Sequence, residues 1–306
     1  MRIGTMLSMP GDPAGVRDIV SRAVRAETEG FTSAWLPQVS TVDALMCLAL
    51  AGSETSSIEL GTAVVPTYPR HPTALALQAL TAQDATNNRL ALGIGLSHQR
   101  SIEGVLGLDY SRPLRHMREY LSVLNPALRG EVVRFEGEEF KVNYFQATLP
   151  GVGAPPVIVA ALGPQMLKLC GRMADGTITW MGGVEYLRDI AVPTMTGAAM
   201  AAGKPSPRIV AMVPVLLTQD VEQGRETVNT AFQVYGGIPS YRATLDRGGA
   251  ALPADVALIG GEEELERGLK RFADAGVTDF VAVTPGNANG VEATREWFGG
   301  MASGSP

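Results

Sequence analysis

The chain has only three histidines, and two of them stand just past the end of an apolar, strand-like run. His98 follows Leu90–Gly95 in the polar setting Ser97-His98-Gln99, and His71 sits between Arg70 and Pro72 beyond Ile58–Val65. Imidazole titrates near neutrality and can give or take a proton. Each is therefore a candidate acid or base, with an ordinary hydrogen-bonded loop histidine as the alternative. A third feature is a basic cluster, Arg100, Arg112, Arg115, His116 and Arg118, in a chain of net charge −6. Such a run is either a solvated face or an attractor for a polyanionic ligand tail.

Ala160-Ala161-Leu162-Gly163-Pro164-Gln165 reads as a strand end, a glycine, and a proline at the first helical position. The free N–H groups and dipole of such a helix start favour an anion such as phosphate; an ordinary βα turn is the alternative. Trp180 and Met181 end another strand and could pack in the core or wall an aromatic cofactor, and Trp35 has the same two readings.

Other motifs fail on their details. Gly93-Ile94-Gly95-Leu96-Ser97-His98 lacks the third glycine of a dinucleotide-binding turn, and no helix is expected directly after it. Gly197–Lys204 has the wrong spacing for a phosphate loop, with Pro205 where Ser or Thr belongs. There is no GxSxG and no HExxH. The two cysteines, Cys47 and Cys170, lie singly in helical patterns and read as small core residues, so no metal site is expected.

These residues hang on an alternation of strands and helices. Strand patterns cover Arg2–Ser8, Ser33–Leu36, Ile58–Val65, Leu90–Gly95, Val157–Ala161, Thr177–Met181, Ile209–Leu217 and Phe280–Val283. Helical spacing covers Ala14–Glu29, Thr41–Ala51, Thr73–Ala85, Gln165–Met173, Val184–Ala202, Glu222–Tyr235 and Glu262–Ala275. Two interruptions read as insertions. One spans about 97–150, with a helix over Pro113–Leu128 and a hairpin around Gly137 (Val132–Phe135 with Phe140–Tyr144). The other is an irregular stretch at 236–257. Repeated βα units of this number predict an α/β fold, a (β/α)8 barrel with insertions after its fourth and seventh strands. A doubly wound sheet is the alternative. The expectation is one domain over 1–298 and a frayed tail over 299–306.

The composition fits that class. The chain has 306 residues, 45% hydrophobic and 18% charged, enough for one large α/β domain. No Lys/Arg run of five or more occurs, which argues against a nucleic-acid partner. There is no uninterrupted apolar stretch of about 18 residues and no signal-peptide pattern, so a reduced, cytoplasmic setting without a membrane span is expected.

Several of these segments together resemble one family. Leu60-Gly61-Thr62-Ala63-Val64, Arg89–Gly95 with Ser97-His98, Ala160–Pro164, and Ala174-Asp175-Gly176-Thr177-Ile178-Thr179-Trp180 are similar to the deazaflavin (coenzyme F420)-dependent branch of the luciferase-like superfamily. The similarity extends over almost the whole chain. It implies a TIM barrel with cofactor at the carboxyl mouth. It also implies a non-prolyl cis peptide at Ala63-Val64, in a bulge that props the deazaflavin ring from behind and leaves one face open for hydride transfer. Gly61 and Thr62 would share that support, and Gly95 falls in the same cofactor-binding set. Ala160, Ala161, Leu162, Gly163, Pro164 and Gln165 would hold the cofactor phosphate, with Trp180 as a wall. Ser97 and His98 would lie near ring and substrate. Sugar-phosphate dehydrogenases of this branch carry glutamate where His98 stands, and an Asp-His pair where this chain has Pro37-Gln38-Val39. A sugar phosphate is therefore not the expected substrate, and Gln38 is a candidate to bond ring edge or substrate.

The expected activity is F420-dependent hydride transfer, with His98 giving or taking a proton and a small organic molecule as substrate. FMN-dependent monooxygenation and a non-catalytic F420 carrier are the alternatives. A homodimer is expected only by analogy with the family.

Overall fold

The computed structural model describes residues 1–39, 41–145, 147–285 and 290–304. Eight parallel strands close on themselves. They are β1 (Arg2–Met6), β2 (Ser33–Leu36), β3 (Glu59–Thr62), β4 (Leu90–Gly95), β5 (Val157–Ala160), β6 (Gly176–Trp180), β7 (Arg208–Leu217) and β8 (Asp279–Val283). Each pairs with the next, from Gly4↔Ser33 between β1 and β2 round to Val210↔Ile178 between β6 and β7. β8 then pairs with both β7 and β1, which completes the ring. The (β/α)8 expectation holds and the open doubly wound sheet is excluded. Strands such as Leu90–Gly95 are buried throughout, because the helices cover one face and the barrel interior fills the other.

The interior is a packed column. Trp35, Ala91, Ile158, Ile178, Val210 and Val281 form one buried cluster, while the larger cluster lies mostly between strands and helices. At the amino-terminal end the strand starts carry charges that face one another. Arg2 and Arg208 each pair with both Glu59 and Asp279; the Arg208 contacts to both are 2.8 Å and Arg2–Glu59 is 2.9 Å. This four-residue network plugs the bottom of the barrel, a stability feature rather than a site.

The helices form where cap chemistry and apolar stripes agree. Asp43 accepts the Met46 N–H at 3.0 Å to start α2 (Ala44–Glu54), after α1 (Val16–Thr28). His71 caps α3 (Pro72–Ala85), its Nδ1 accepting the Thr73 N–H at 3.3 Å, with Pro72 at the first helical position. This exposed histidine is thus a helix cap. The first insertion holds α4 (Gln99–Gly104), α5 (Pro113–Leu128) and the expected hairpin, Val133–Glu136 against Lys141–Tyr144. After β5 come α6 (Pro164–Met173), and after β6 α7 (Val184–Tyr186), a π turn at Leu187–Ala191, and α8 (Val192–Ala201).

Three sequence expectations need correction. A helix does open directly after His98, since α4 starts at Gln99. The second insertion is not irregular: behind α9 (Val221–Gly237) it forms α10 (Pro239–Arg247), a 3₁₀ turn at Pro253–Val256 and a short strand Leu258–Gly260 on β7. After α11 (Glu262–Asp274) and β8 a last helix, α12 (Val291–Ser303), runs through the segment expected to fray. Gly299 is buried there because it crosses the end of α1, where a Cβ would come within 2.7 Å of the Glu29 carbonyl oxygen. The last two residues of that tail lie outside the described residues. Among the described residues no helix is long and apolar enough to cross a membrane.

Candidate active site

The carboxyl mouth of the barrel is built around an irregularity in β3. Gly61 sits opposite Ala91, and Val65 opposite Ile94. Four residues on β3 therefore span three on β4, which makes a bulge of one extra residue. The Ala63-Val64 peptide within it is cis, as the family resemblance implies. Two glycines on β4 make room for it. A Cβ on Gly93 would overlap the Thr62 carbonyl oxygen, and one on Gly95 would meet Val64 Cγ2 at 2.6 Å and Ala160 Cβ at 3.2 Å. The bulge is fastened by Thr62 Oγ1 donating to the Gly93 carbonyl at 2.7 Å and Ala63 N–H to Leu36 at 2.8 Å. Ala63, Val64 and Ala160 remain half-buried at the mouth.

Gly61 and Thr62 lie beneath this surface. A side chain on Gly61 would overlap the Trp35 ring, and Thr62 is fully buried. They brace the bulge and do not face the mouth. Trp35 takes its core reading: it is fully buried and its Nε1 donates to Ser33 Oγ at 2.9 Å. Gln38 lies just beyond β2, but its Oε1 already accepts the Ala44 N–H at 3.3 Å.

His98 follows the end of β4. Ser97 before it adopts left-handed backbone (φ 60°), and its carbonyl accepts the Tyr110 hydroxyl at 3.3 Å. The imidazole lies edge-on to Tyr241, centroids 5.6 Å apart, and burial pushes its pKa below the usual histidine value. It is therefore mostly neutral at pH 7 and poised to accept a proton. Tyr241 in turn meets Tyr235 at 5.1 Å, and Tyr235 meets Trp180 at 5.5 Å, each nearly perpendicular. A wall of aromatic rings thus runs from β4 to β6. Two of its members, Tyr235 near the end of α9 and Tyr241 from the second insertion, were missed from sequence. The signal available was the pair of tyrosines, Tyr235 and Tyr241, flanking Gly236, Gly237 and Pro239.

The Ala160–Gln165 turn ends β5 and starts α6. Gly163 is its N-cap with no side chain bonded to the helix start, and Pro164 is at the first position. A Cβ on Gly163 would meet nothing within 4 Å, and Pro164 and Gln165 are exposed. The free N–H groups of such a helix start favour an anion. Ala161 is buried and supports the turn from below.

The basic cluster is divided by the fold, with Arg115 paired and His116 buried. Arg115 pairs with Glu138 and with Glu139, the latter at 2.8 Å, and Arg112 approaches Glu138 at 3.9 Å. His116 is buried, stacked on Tyr68 with centroids 3.9 Å apart, its Nε2 lying 3.0 Å from Thr67 Oγ1. Burial, against the opposing pull of Glu139 and Glu119, lowers its pKa to about 4. Helical spacing alone could not separate this buried residue from its exposed neighbours. Among the described residues no cluster of His, Cys, Asp or Glu could hold a metal ion, and both cysteines are buried.

Residues 1–289 match the family described as luciferase-like monooxygenase. The chain belongs to that family. Among its relatives is the F420-dependent glucose-6-phosphate dehydrogenase of Mycolicibacterium gilvum (strain PYR-GCK), 28% identical over 71% of this chain and 69% of the relative. Solved structures share its fold. An F420-dependent secondary alcohol dehydrogenase, solved with an F420-acetone adduct, superposes with a TM-score of 0.81 at 18% identity, covering 99% of this chain and 98% of the other. The oxygenating constituent of 3,6-diketocamphane monooxygenase from Pseudomonas putida, solved with FMN, gives 0.77 at 16% identity, over 100% and 99% of the chains. This luciferase-like chain thus has the family's barrel over its full described length.

Proposed function

We propose that this protein is an F420-dependent oxidoreductase acting on a small organic substrate at the barrel's carboxyl mouth. The observation that carries the reading is the Ala63-Val64 bulge, seated over Gly93 and Gly95 and half-open to the mouth. A flat ring system resting on it would have one face turned toward His98 and the aromatic wall. The residues present fit such a group at a second point, since the helix start at Gly163–Gln165 offers N–H donors to its phosphate. When bound, the deazaflavin would accept a hydride at C5 from a substrate being oxidised, or in its reduced form donate one to a substrate being reduced, with little reactivity toward oxygen.

The chain's own residues do the rest. The bulge sets the depth of the ring, and the turn at Ala160–Gln165 anchors its tail. Trp180, Tyr235 and Tyr241 exclude water from the reacting face. His98 holds or removes the substrate proton. With its pKa lowered by burial, it is suited to accept a proton while an alcohol-type substrate is oxidised. In the reverse direction it donates at lower pH. Pro37-Gln38-Val39 at the end of β2, where the sugar-phosphate dehydrogenases carry an Asp-His pair, argues against a sugar-phosphate substrate.

A second reading, FMN-dependent monooxygenation, draws on the family's own description and on the FMN-bound structural neighbour. Titrating the purified protein with each cofactor separates the two. Micromolar binding of F420 without binding of FMN supports the hydride-transfer reading, and the reverse result replaces it. A His98→Ala variant that binds F420 but no longer turns over would set an enzyme apart from a carrier.

A further inference from the structure

Tyr186 lies behind the mouth, and nothing in its sequence setting marks it as functional. Its ring is fully buried and its hydroxyl donates to the Leu162 carbonyl at 2.6 Å. The ring is gripped from two sides. A Cβ on Gly182 would come within 3.2 Å of Tyr186 Cδ1, and one on Gly248, from the second insertion, within 3.2 Å of Tyr186 Cβ. The π turn at Leu187–Ala191 begins with the next residue. Its wider winding lets Tyr186 face the loop after β5 while α8 packs on α6 at Gly171, where a Cβ would come within 2.8 Å of Ala198 Cβ.

The Leu162 carbonyl and the Gly163 N–H belong to one planar peptide unit and point in opposite directions. A donor fixed on the carbonyl therefore fixes the line of the N–H. It also polarises the amide and makes the N–H a better donor. The Gly163 N–H makes no hydrogen bond with the described residues, and a Cβ added at Gly163 would meet nothing within 4 Å. Burial pushes the Tyr186 phenol up to about 12, so it stays a donor throughout the working pH range.

We propose that Tyr186 is a positioning residue that locks the Leu162–Gly163 peptide so that the Gly163 N–H is presented to the phosphate of the bound cofactor. The proposal rests on the reading above that a phosphate-bearing deazaflavin occupies the mouth.

The test compares Tyr186→Phe with the unaltered protein in fluorescence titrations against F420 and against its phosphate-free chromophore, 8-hydroxy-5-deazariboflavin. The expected result is a loss of about fivefold to tenfold in affinity for F420, with less than twofold change for the phosphate-free ligand. A purely structural role would weaken both ligands together and lower the thermal midpoint, and that result overturns the proposal, as does unchanged binding of both. If the unaltered protein binds F420 no more tightly than the phosphate-free chromophore, the cofactor's phosphate has no site here and the proposal falls with it. Failure of the unaltered protein to bind either ligand refutes the functional reading itself. Gly182→Ala, which pushes the ring from its other side, should give the same selective loss and carries the test should Tyr186→Phe fold poorly.

Discussion

The bulge at the mouth depends on Gly95 having no side chain, and that dependence can be measured as a coupling between two residues. In Gly95→Ala the new methyl would lie 2.6 Å from Val64 Cγ2 and 3.2 Å from Ala160 Cβ. Ordinary carbon contacts are about 3.5–4.0 Å, so Val64 must retreat by roughly 1 Å. Overpacking of this kind costs about 1–3 kcal/mol. Replacing a strand glycine with alanine returns about 0.5–1 kcal/mol of backbone entropy. The net loss expected for Gly95→Ala is therefore about 1–2 kcal/mol. Val64→Ala alone, at a half-buried position, should cost about 1 kcal/mol. In the double variant the closer clash, with Val64, is gone and only the 3.2 Å approach to Ala160 remains, so its stability should exceed the additive sum by about 1 kcal/mol. Urea unfolding of the four proteins, with m held constant, measures the cycle. Additivity within about 0.3–0.5 kcal/mol would mean that Val64 is not seated over Gly95, and the account of the mouth's floor would fail. The same cycle in cofactor affinity should find Gly95→Ala weakened, because the bulge is displaced toward the ring.

Three further outcomes are expected. His98→Ala should lower turnover by about 10²–10⁴ with cofactor affinity unchanged, and turnover of the unaltered enzyme in the direction in which His98 accepts a proton should fall only as pH drops below the usual histidine range, because burial depresses the pKa of His98; a rate insensitive to His98→Ala removes it as the proton-transfer group. His116 is held near 4 in the folded state against an ordinary value of 6.5, so between these limits the unfolded chain binds the extra proton and stability drops as the pH is lowered, by up to about 1.4 kcal/mol per pH unit. His116→Phe should flatten that slope in urea melts run from pH 7 to 4.5, whereas an unchanged slope would show that the imidazole titrates freely. Asp279→Asn should cost about 2–4 kcal/mol by leaving Arg2 and Arg208 short of a partner at the bottom of the barrel, with F420 affinity unaltered; a binding defect of similar size would contradict the assignment of that network to stability alone.

What could be read from the sequence divides along physical lines. The eight barrel strands were legible because each is a short apolar run between turn signals, and the structure keeps them within about two residues of the expected bounds at most ends. The Ala160–Gln165 turn was legible because a proline at the first helical position after a glycine has few other uses. Segments where glycine served a tertiary purpose were misread. Gly299 and Gly300 looked like the end of ordered structure, yet Gly299 is there so that α12 can cross Glu29. Gly236, Gly237, Gly248 and Gly249 gave the second insertion the composition of a loop, but they bracket α10 and bring Tyr241 to His98.

The site residues missed share one property: their roles depend on a partner far away in the chain. Tyr110 acts on Ser97, Tyr241 on His98, and Tyr186 on Leu162. Local spacing carries no record of such pairings. It does record the groups that an isolated strand end or helix start displays by itself, which is why His98 and Gly163 could be picked out while the tyrosines that contact His98 and Leu162 could not. The same asymmetry explains the basic cluster, where Arg112, Arg115 and His116 read as one charged patch until Glu138, Glu139 and Tyr68 are folded onto them. At this mouth the candidate groups stand at strand and helix ends, and the rings packed against them arrive from elsewhere in the chain.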